Sequence, residues 1–336
     1  MTSVTVIIIT LNRPECVRRC LTCLESQVPP PGQTIVVDAS ADNRTRAVVN
    51  EFPGTIYMHN PRGFGRMTAS RNMALPACSG EIIAFVDDDA FAHEGWLAAL
   101  LEVYAEHADA GAVGGRVLNG QPDESKLGVD RIGRLTRWGD IEGWFAADPG
   151  RVLEVNHVMG CNMSFRREVL AELGGFREDY RGISGVREDS DICLRVARLG
   201  KKIFFAPKAA VTHIGAPQAT GRRFDARYAY YSARNHMVML IRNFGPLAGI
   251  TLRHPIWAEA TAIRELARRI AGGLARLAAI SAGMLVGIVC GLRLVFARGT
   301  EPRRLDPEAD RIRRALSAHE TIETADQPSA SSGAAV

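Results

Sequence analysis

Residues 82–90 read IIAFVDDDA, five apolar positions cut off by Asp87, Asp88 and Asp89. A short apolar run of this kind reads as a strand buried on both faces. Three like charges at its end repel one another unless something rewards keeping them there. The same pattern recurs outward from this stretch. Residues 4–10 are a β-branched run followed by Asn12-Arg13-Pro14, a turn and helix start, and residues 34–37 run into Asp38. A helical stretch over 44–50 leads to a short strand over 56–58. Strands alternating with helices predict an α/β fold with a parallel, doubly wound sheet. In such sheets ligands sit beyond the carboxyl ends of the strands, where Thr10, Asp38 and the three aspartates would all lie.

Carboxylates at such a cleft can hold a hard divalent cation, whose charge offsets their repulsion. Asp87 and Asp89 form the natural pair, because positions two apart in an extended segment face the same way. The competing reading is an exposed acidic turn or a helix cap before Ala90. In GVREDSDICLR (185–195), Glu188 and Asp189 precede a helix with Asp191 in its first turn. Capping accounts for one or two of these acids, while a carboxylate at a cleft edge can also act as general base. In APKAAVTHIG (206–215), His213 follows a strand-like run; it reads as a hydrogen-bonding residue or as a third ligand for a metal such as Mn2+. PRGFGRMTASRN (61–72) lacks the strand and spacing of a dinucleotide fingerprint, but its glycine loop and Arg71-Asn72 could approach a nucleotide's phosphates. Cys20 and Cys23 are spaced as a CxxC, but with no second such pair and no histidine partner Cys16, Cys20 and Cys23 read as one packed helix face.

Further along, 96–105 reads as an amphipathic helix and 112–115 as a strand. Residues 121–150, rich in Gly, Asp, Arg and Trp, read as an active-site loop or edge region. Residues 155–176 pass from strand to helix and close at Gly174-Gly175; 190–200 is a second helix, and 202–207 a strand. Beyond about residue 222 the chain turns helical and rich in Ala, Leu and Arg. The apolar run 277–292 carries three glycines and falls short of the roughly 20 residues a membrane span needs. With Arg264, Arg268, Arg269, Arg276 and Arg293 around it, it fits a buried helix or one lying in a membrane interface, and a tilted or paired hairpin stays open. The expected organisation is a catalytic domain over 1–221, a helical region over 222–298 and a disordered tail over 299–336.

With 336 residues and 46% hydrophobic side chains the chain can build a full core. A net charge of +4, with C-terminal arginines alternating with acids and lacking interleaved aromatics, does not suggest a nucleic-acid partner. The seven cysteines suit a reducing compartment, and the opening residues carry neither basic lead nor cleavage site, so a cytoplasmic protein is expected, with peripheral contact at the inner face of the cell membrane left open.

Taken together and in order, residues 4–27, IVVDASAD (35–42), GFGRMTASRN (63–72), IIAFVDDDA (82–90), 159–176 and 187–213 resemble the family 2 inverting glycosyltransferases with the GT-A fold. The likeness covers about residues 3–215 and implies a GT-A type doubly wound nucleotide-binding sheet with a C-terminal helical extension. It implies that Thr10, Asn12 and Arg13 border the nucleotide, that Asp38 reads the base and that Arg71 and Asn72 lie near the phosphates, with Ser70 where Ala is usual. Asp87–Asp88–Asp89 match the DxD motif, Asp87 and Asp88 on the donor and Asp87 and Asp89 on Mn2+ or Mg2+. Glu188 falls with the donor-binding residues, Asp189 matches the catalytic base, His213 a histidine that in some members ligates the metal, and Gly160, Cys161 and Asn162 the lining of donor sugar or acceptor. The QxxRW signature of processive members is missing, which favours addition of one or a few sugars. YAYYSARN (228–235) resembles the helix after the catalytic domain in rhamnosyltransferase-like members. The implied partners are a nucleotide-diphosphate sugar and a glycan or lipid-linked acceptor. A nucleotidyltransferase would want a glycine-rich triphosphate loop near the N-terminus, and a non-catalytic carbohydrate-binding or scaffold protein could keep the same fold.

Overall fold

Valine, isoleucine and threonine make up β1 (Val4–Thr10), and every residue of it is buried, as a strand covered on both faces requires. In the computed structural model, which describes residues 2–120, 127–180, 182, 186–215, 225–268, 273–298 and 307–325, this strand lies near the middle of a nine-stranded sheet. Pro14 starts α1 (Pro14–Glu25), whose buried face carries Val17, Cys20, Leu21 and Leu24. There follow β2 (Gln33–Asp38), α2 (Arg44–Val49), β3 (Thr55–His59), α3 (Met67–Ala74), β4 (Ile82–Asp87), β5 (Ala90–Ala92), α4 (Trp96–Glu106) and β6 (Ala110–Leu118). Among the described residues the segment after β6 holds a 3-10 turn over Val129–Arg131 and the short pair β7 (Arg134–Leu135) and β8 (Ile141–Glu142) before β9 (Leu153–Val155). Then come β10 (Asn162–Arg166), α5 (Arg167–Leu173), α6 (Glu188–Arg198) and β11 (Lys202–His213).

The strand order is β3-β2-β1-β4-β10-β6-β11-β5, with β9 against β11. The first four strands are parallel, but β10 runs antiparallel to both β4 and β6. The sheet is therefore mixed, where the alternation of elements had suggested a parallel one. A parallel neighbour needs a crossover, usually a helix. Among the described residues the chain between β6 and β10 has no α-helix, so it re-enters from the opposite end.

Among the described residues four helices follow: α7 (Ala226–Phe244), α8 (Gly249–Arg268), α9 (Gly273–Arg298) and α10 (Pro307–Ala325). Helix α7 is fastened to the α/β part by buried polar groups. Asn243 donates to Asp191 at 2.7 Å, Arg242 pairs with Asp179 at 2.6 Å, Arg234 donates to the Asp179 carbonyl at 2.8 Å and Asn235 to the Val186 carbonyl at 3.1 Å. Helix α9 lies along α7 through Gly283, Gly287 and Gly291, all buried. A Cβ at Gly283 would stand 2.3 Å from the Tyr230 carbonyl oxygen, and one at Gly287 2.4 Å from that of Arg234. The helix runs beyond the apolar stretch 277–292: Leu274–Ala297 is long and apolar enough to cross a membrane by length and composition, and 22% of that window is buried. The side chains of Arg264, Arg268 and Arg269 lie outside the described residues, while Arg276 and Arg293 are exposed.

The disordered tail expected from 299 is not what 307–325 forms. Ala309, Ile312 and Leu316 recur at helical spacing and are buried, packing α10 against α5 and Leu75, where Gly174 and Gly175 leave room for Ala309 and Ile312. The remainder of that tail lies outside the described residues.

Candidate active site

Parallel pairing in register sets Thr10 beside Asp38 and Ile9 beside Asp87 at the carboxyl ends of β1, β2 and β4. From the other side, β11 ends at His213, paired with Ala90 in β5, and the Ile214 amide donates to the Asp89 carbonyl. This brings Asp87, Asp89 and His213 to one point: each offers a ligand atom, and the three lie within 4.8 Å of one another. His213 Nε2 is 3.2 Å from Asp89 Oδ1. Two carboxylates and an imidazole suit Mn2+ or a similar divalent cation, so these residues fit a resident metal.

Asp88 turns the other way. It is fully buried, accepts from Thr10 Oγ1 at 2.6 Å and is gripped by Arg13 through Nε at 2.9 Å and Nη2 at 2.6 Å, while Arg13 Nη1 reaches Asp89 at 3.0 Å. Burial pushes the Asp88 carboxyl up to about 7 against the pull of Arg13. Arg13 thus sets the angle of the acidic turn.

Arg71, 1% exposed, joins the acidic turn to the second carboxylate group. Its guanidinium lies 3.5 Å from Asp87, 2.9 Å from Glu188 and 3.3 Å from the Gly160 carbonyl. The Gly160 amide in turn donates to Asp189 Oδ2 at 3.1 Å, and the Ser190 amide to Oδ1 at 2.7 Å. Asp189 is held in place yet half exposed, as a group that must meet a ligand requires. Glu188 is buried beside it and pushed up to about 8, with Arg71 opposing the shift.

One cavity of about 600 Å³, of ordinary size for a small-molecule site, runs past these groups. Thr10, Arg13, Arg71, Asp87 and Asp89 line it together with Gly160, Glu188, Asp189 and His213. Asn12, Asn72, Asp38, Asp88 and Asn162 are not on its wall. Asn12 has φ 57° and donates its amide to Ser40, which fixes the turn after β1. Asn72 holds the backbone of Phe176 through both ends of its amide. Asp38 accepts from the Ser40 amide and hydroxyl and from Tyr57, directly behind Ala39, which does line the cavity. Asn162 accepts from Trp96 at 2.9 Å and donates to the carbonyls of Arg116 and Ala209, so its polar atoms are occupied in the core rather than turned towards a sugar.

The structure adds lining residues that were not picked out individually. Arg66 and Phe64 belong to the 63–67 loop already marked by its glycines; Ile141 and Phe145 come from the 121–150 region, whose weak periodicity hid which side chains turn inward, and His157 from the start of the 155–176 stretch. Of that region, 121–126 lies outside the described residues, as do 183–185 of the loop before Glu188.

The sequence model described as glycosyl transferase family 2 matches residues 5–174, and one described as the N-terminal domain of galactosyltransferase matches 144–217. The chain is 27% identical over 188 residues to a glucosyl-dolichyl phosphate glucuronosyltransferase of Haloferax volcanii, which covers 53% of this chain and 58% of that protein. It is 28% identical over 294 residues to a pre-mycofactocin glycosyltransferase of Mycobacterium tuberculosis, covering 84% of this chain and 56% of the relative. The chain thus spans little more than half the length of these two. An O-antigen chain rhamnosyltransferase of Salmonella anatum is 26% identical over 67% of this chain and 70% of its own. Among solved structures, a mannosyltransferase of Pyrobaculum calidifontis in complex with GDP-Man and Mn2+ superposes with TM-score 0.54 at 19% identity, over 97% of this chain and 88% of its own. GalNAc-T7 with UDP, GalNAc and Mn2+ gives 0.55 at 14%, over 71% and 48%. These two show the shared GT-A fold.

Proposed function

The chain belongs to glycosyl transferase family 2, and from that premise we propose that it transfers one sugar, or a few, from a nucleotide-diphosphate donor to an acceptor hydroxyl in a single inverting displacement. Membership sets nucleotidyl transfer aside. The observation that carries the reading is the placement of the Asp87–Asp89–His213 group and Asp189 along one cavity, with Arg71 and Gly160 fixing one against the other.

The donor lies along the Thr10, Arg13, 63–67 loop and Arg71 side, its base reaching the turn in front of Asp38. Asp87, Asp89 and His213 would hold the divalent cation, which supplies Lewis-acid stabilisation of charge on the leaving diphosphate. Asp189 takes the proton of the attacking hydroxyl. Its two backbone amide donors hold the carboxylate aimed at that proton. The acceptor enters from the opposite wall, past Ile141, Phe145 and His157. The GDP-Man, UDP and Mn2+ held by proteins of this fold agree with the donor class and cation. The reading includes a catalytic unit of about 1–221 with the helices after 222 completing it, and peripheral contact of those helices with a membrane from the cytoplasmic side.

Calorimetric titration with a panel of nucleotide sugars, with and without Mn2+ or Mg2+, tests the assignment. One donor should bind metal-dependently. Asp89→Ala should abolish that binding, while Asp189→Asn should keep it and lower transfer by about 10²- to 10⁴-fold. Undiminished transfer by Asp189→Asn would remove the assigned base.

A further inference from the structure

Immediately before Glu188 and Asp189 stands Arg187, for which the chemistry above has no task. It has φ 85°, one of three non-glycine residues with positive φ among those described, and a long side chain is costly there unless something requires it. Its side chain lines the cavity beside Ile141, Phe145 and His157. Its Nε is buried without a hydrogen-bond partner, and the guanidinium makes no hydrogen bond or ion pair among the described residues. The other two arginines next to the catalytic carboxylates are neutralised, Arg13 by Asp88 and Asp89 and Arg71 by Asp87 and Glu188.

The surroundings of Arg187 place it on the acceptor side. Its charge acts on Asp140, without pairing, and on the imidazoles of His157, His236 and His254. Burial keeps those three rings neutral, His157 and His254 down at about 4, and Arg187 pushes the same way. Among the described residues that line the wall beyond Asp189, Arg187 is therefore a cation without an ion pair, set beside the neutral His157 and the apolar Ile141 and Phe145. A partly buried charge of this kind is expensive unless an anion completes it. A guanidinium fork matches the two oxygens of a carboxylate or phosphate.

We propose that Arg187 is the acceptor-reading residue of the cavity: it binds a carboxylate or phosphate carried by the acceptor and so presents the neighbouring hydroxyl to Asp189. The inference rests on the sugar-transfer reading above, and it makes the acceptor an anionic compound. Arg187 positions and selects; it takes no part in bond making.

The test uses full-length protein and three probes below their micellar concentrations: decyl phosphate, octyl β-glucuronide and neutral octyl β-glucoside. Metal-free titrations keep the phosphate away from the cation site. The wild type should prefer at least one acidic probe over the neutral glucoside by about 10-fold or more. Arg187→Gln should erase that preference, and Arg187→Lys should retain part of it. Thermal unfolding and Mn2+-dependent binding of UDP, GDP or dTDP, measured on the same variants, should stay at wild-type level. Whether decyl phosphate or octyl glucuronide wins separates a phosphate-bearing acceptor from an acidic sugar. Equal affinity for all three probes, binding of none, or a preference that survives in Arg187→Gln overturns the proposal. Failure of the wild type to bind any nucleotide with metal would count against sugar transfer instead, and leaves the probe preference to be read on its own.

Discussion

Glu188 and Asp191 are acids three positions apart in the first turn of α6, both buried, and their surroundings drive them in opposite directions. Burial would raise Asp191, but Arg177 at 2.8 Å, Arg195 and the Asn243 amide hold it below the ordinary carboxylate range. Replacing it by alanine removes the carboxylate that pairs at 2.8 Å with the fully buried Arg177. Asp191→Ala should therefore cost about 3–5 kcal/mol in urea unfolding, and a loss under 1 kcal/mol would show that the network is slack. Glu188 is raised by burial and by Asp189, to about 8 from an ordinary 4.5. A carboxyl raised on folding contributes stability in full below its unfolded value and loses it as pH climbs through the folded one. The metal-free protein should thus lose melting temperature between about pH 6.5 and 8, with Asp88 adding to the lower part of that window; below it the buried, neutral His157, His236 and His254 act in the opposite sense and offset the two carboxyls. Glu188→Gln should flatten the stretch between pH 7 and 8; an unchanged slope there would mean Glu188 is ionised in the fold. Arg187 offers a third case. Glycine at φ 85° carries no steric cost, so Arg187→Gly should match or exceed wild-type stability by up to about 1 kcal/mol, and a clear loss in thermal melts would deny that the backbone is strained for the sake of the side chain.

At the level of elements, what could be read directly was whatever depends on neighbours in sequence. The β-branched run of β1 and the apolar run before Asp87 announced buried strands, and acids at strand ends announced a cleft. The direction of β10 was hidden, because it depends on how the excursion from 119 to 161 returns to the sheet, and so was the place of Asn162, whose partners Trp96, Arg116 and Ala209 lie 46 to 66 residues away. The three glycines of α9 were visible but not their purpose. They form the seam on which α7 and α9 touch, Gly287 against the backbone of Arg234. In a free helix, glycine to alanine stabilises by about 1 kcal/mol. At the seam the sign should reverse: Gly287→Ala should destabilise, and Gly287→Val should cost about 1–3 kcal/mol and expose α9 to protease. A Gly287→Ala variant as stable as wild type or more so would show that the helices do not meet there.

Over the whole molecule, the helices after 225 finish the site and also carry most of the exposed large hydrophobics. Asn235 holds the Val186 carbonyl next to Arg187 and Asp189, and α10 returns to seal α5. The outer faces of α8 and α9 leave Leu252, Ile256, Leu274, Leu285, Val289 and Phe296 in solvent, with Arg253, Arg276 and Arg293 exposed along the same helices. An apolar surface of this kind on a protein with a full core marks an interaction face. Arginines beside it favour an anionic lipid surface, at about 1 kcal/mol for each cation near the headgroups. The full chain should therefore pellet with phosphatidylglycerol-containing vesicles, less with phosphatidylcholine alone, and less again at high salt, where screening weakens the arginine contribution. Phe296→Asp with Leu285→Asp should return the protein to the supernatant while its nucleotide binding stays intact, because neither residue touches the cavity. Protein that stays in the supernatant with both vesicle types would leave the apolar face to another partner. Pelleting that ignores lipid charge and salt would keep the membrane contact but remove the arginines from it.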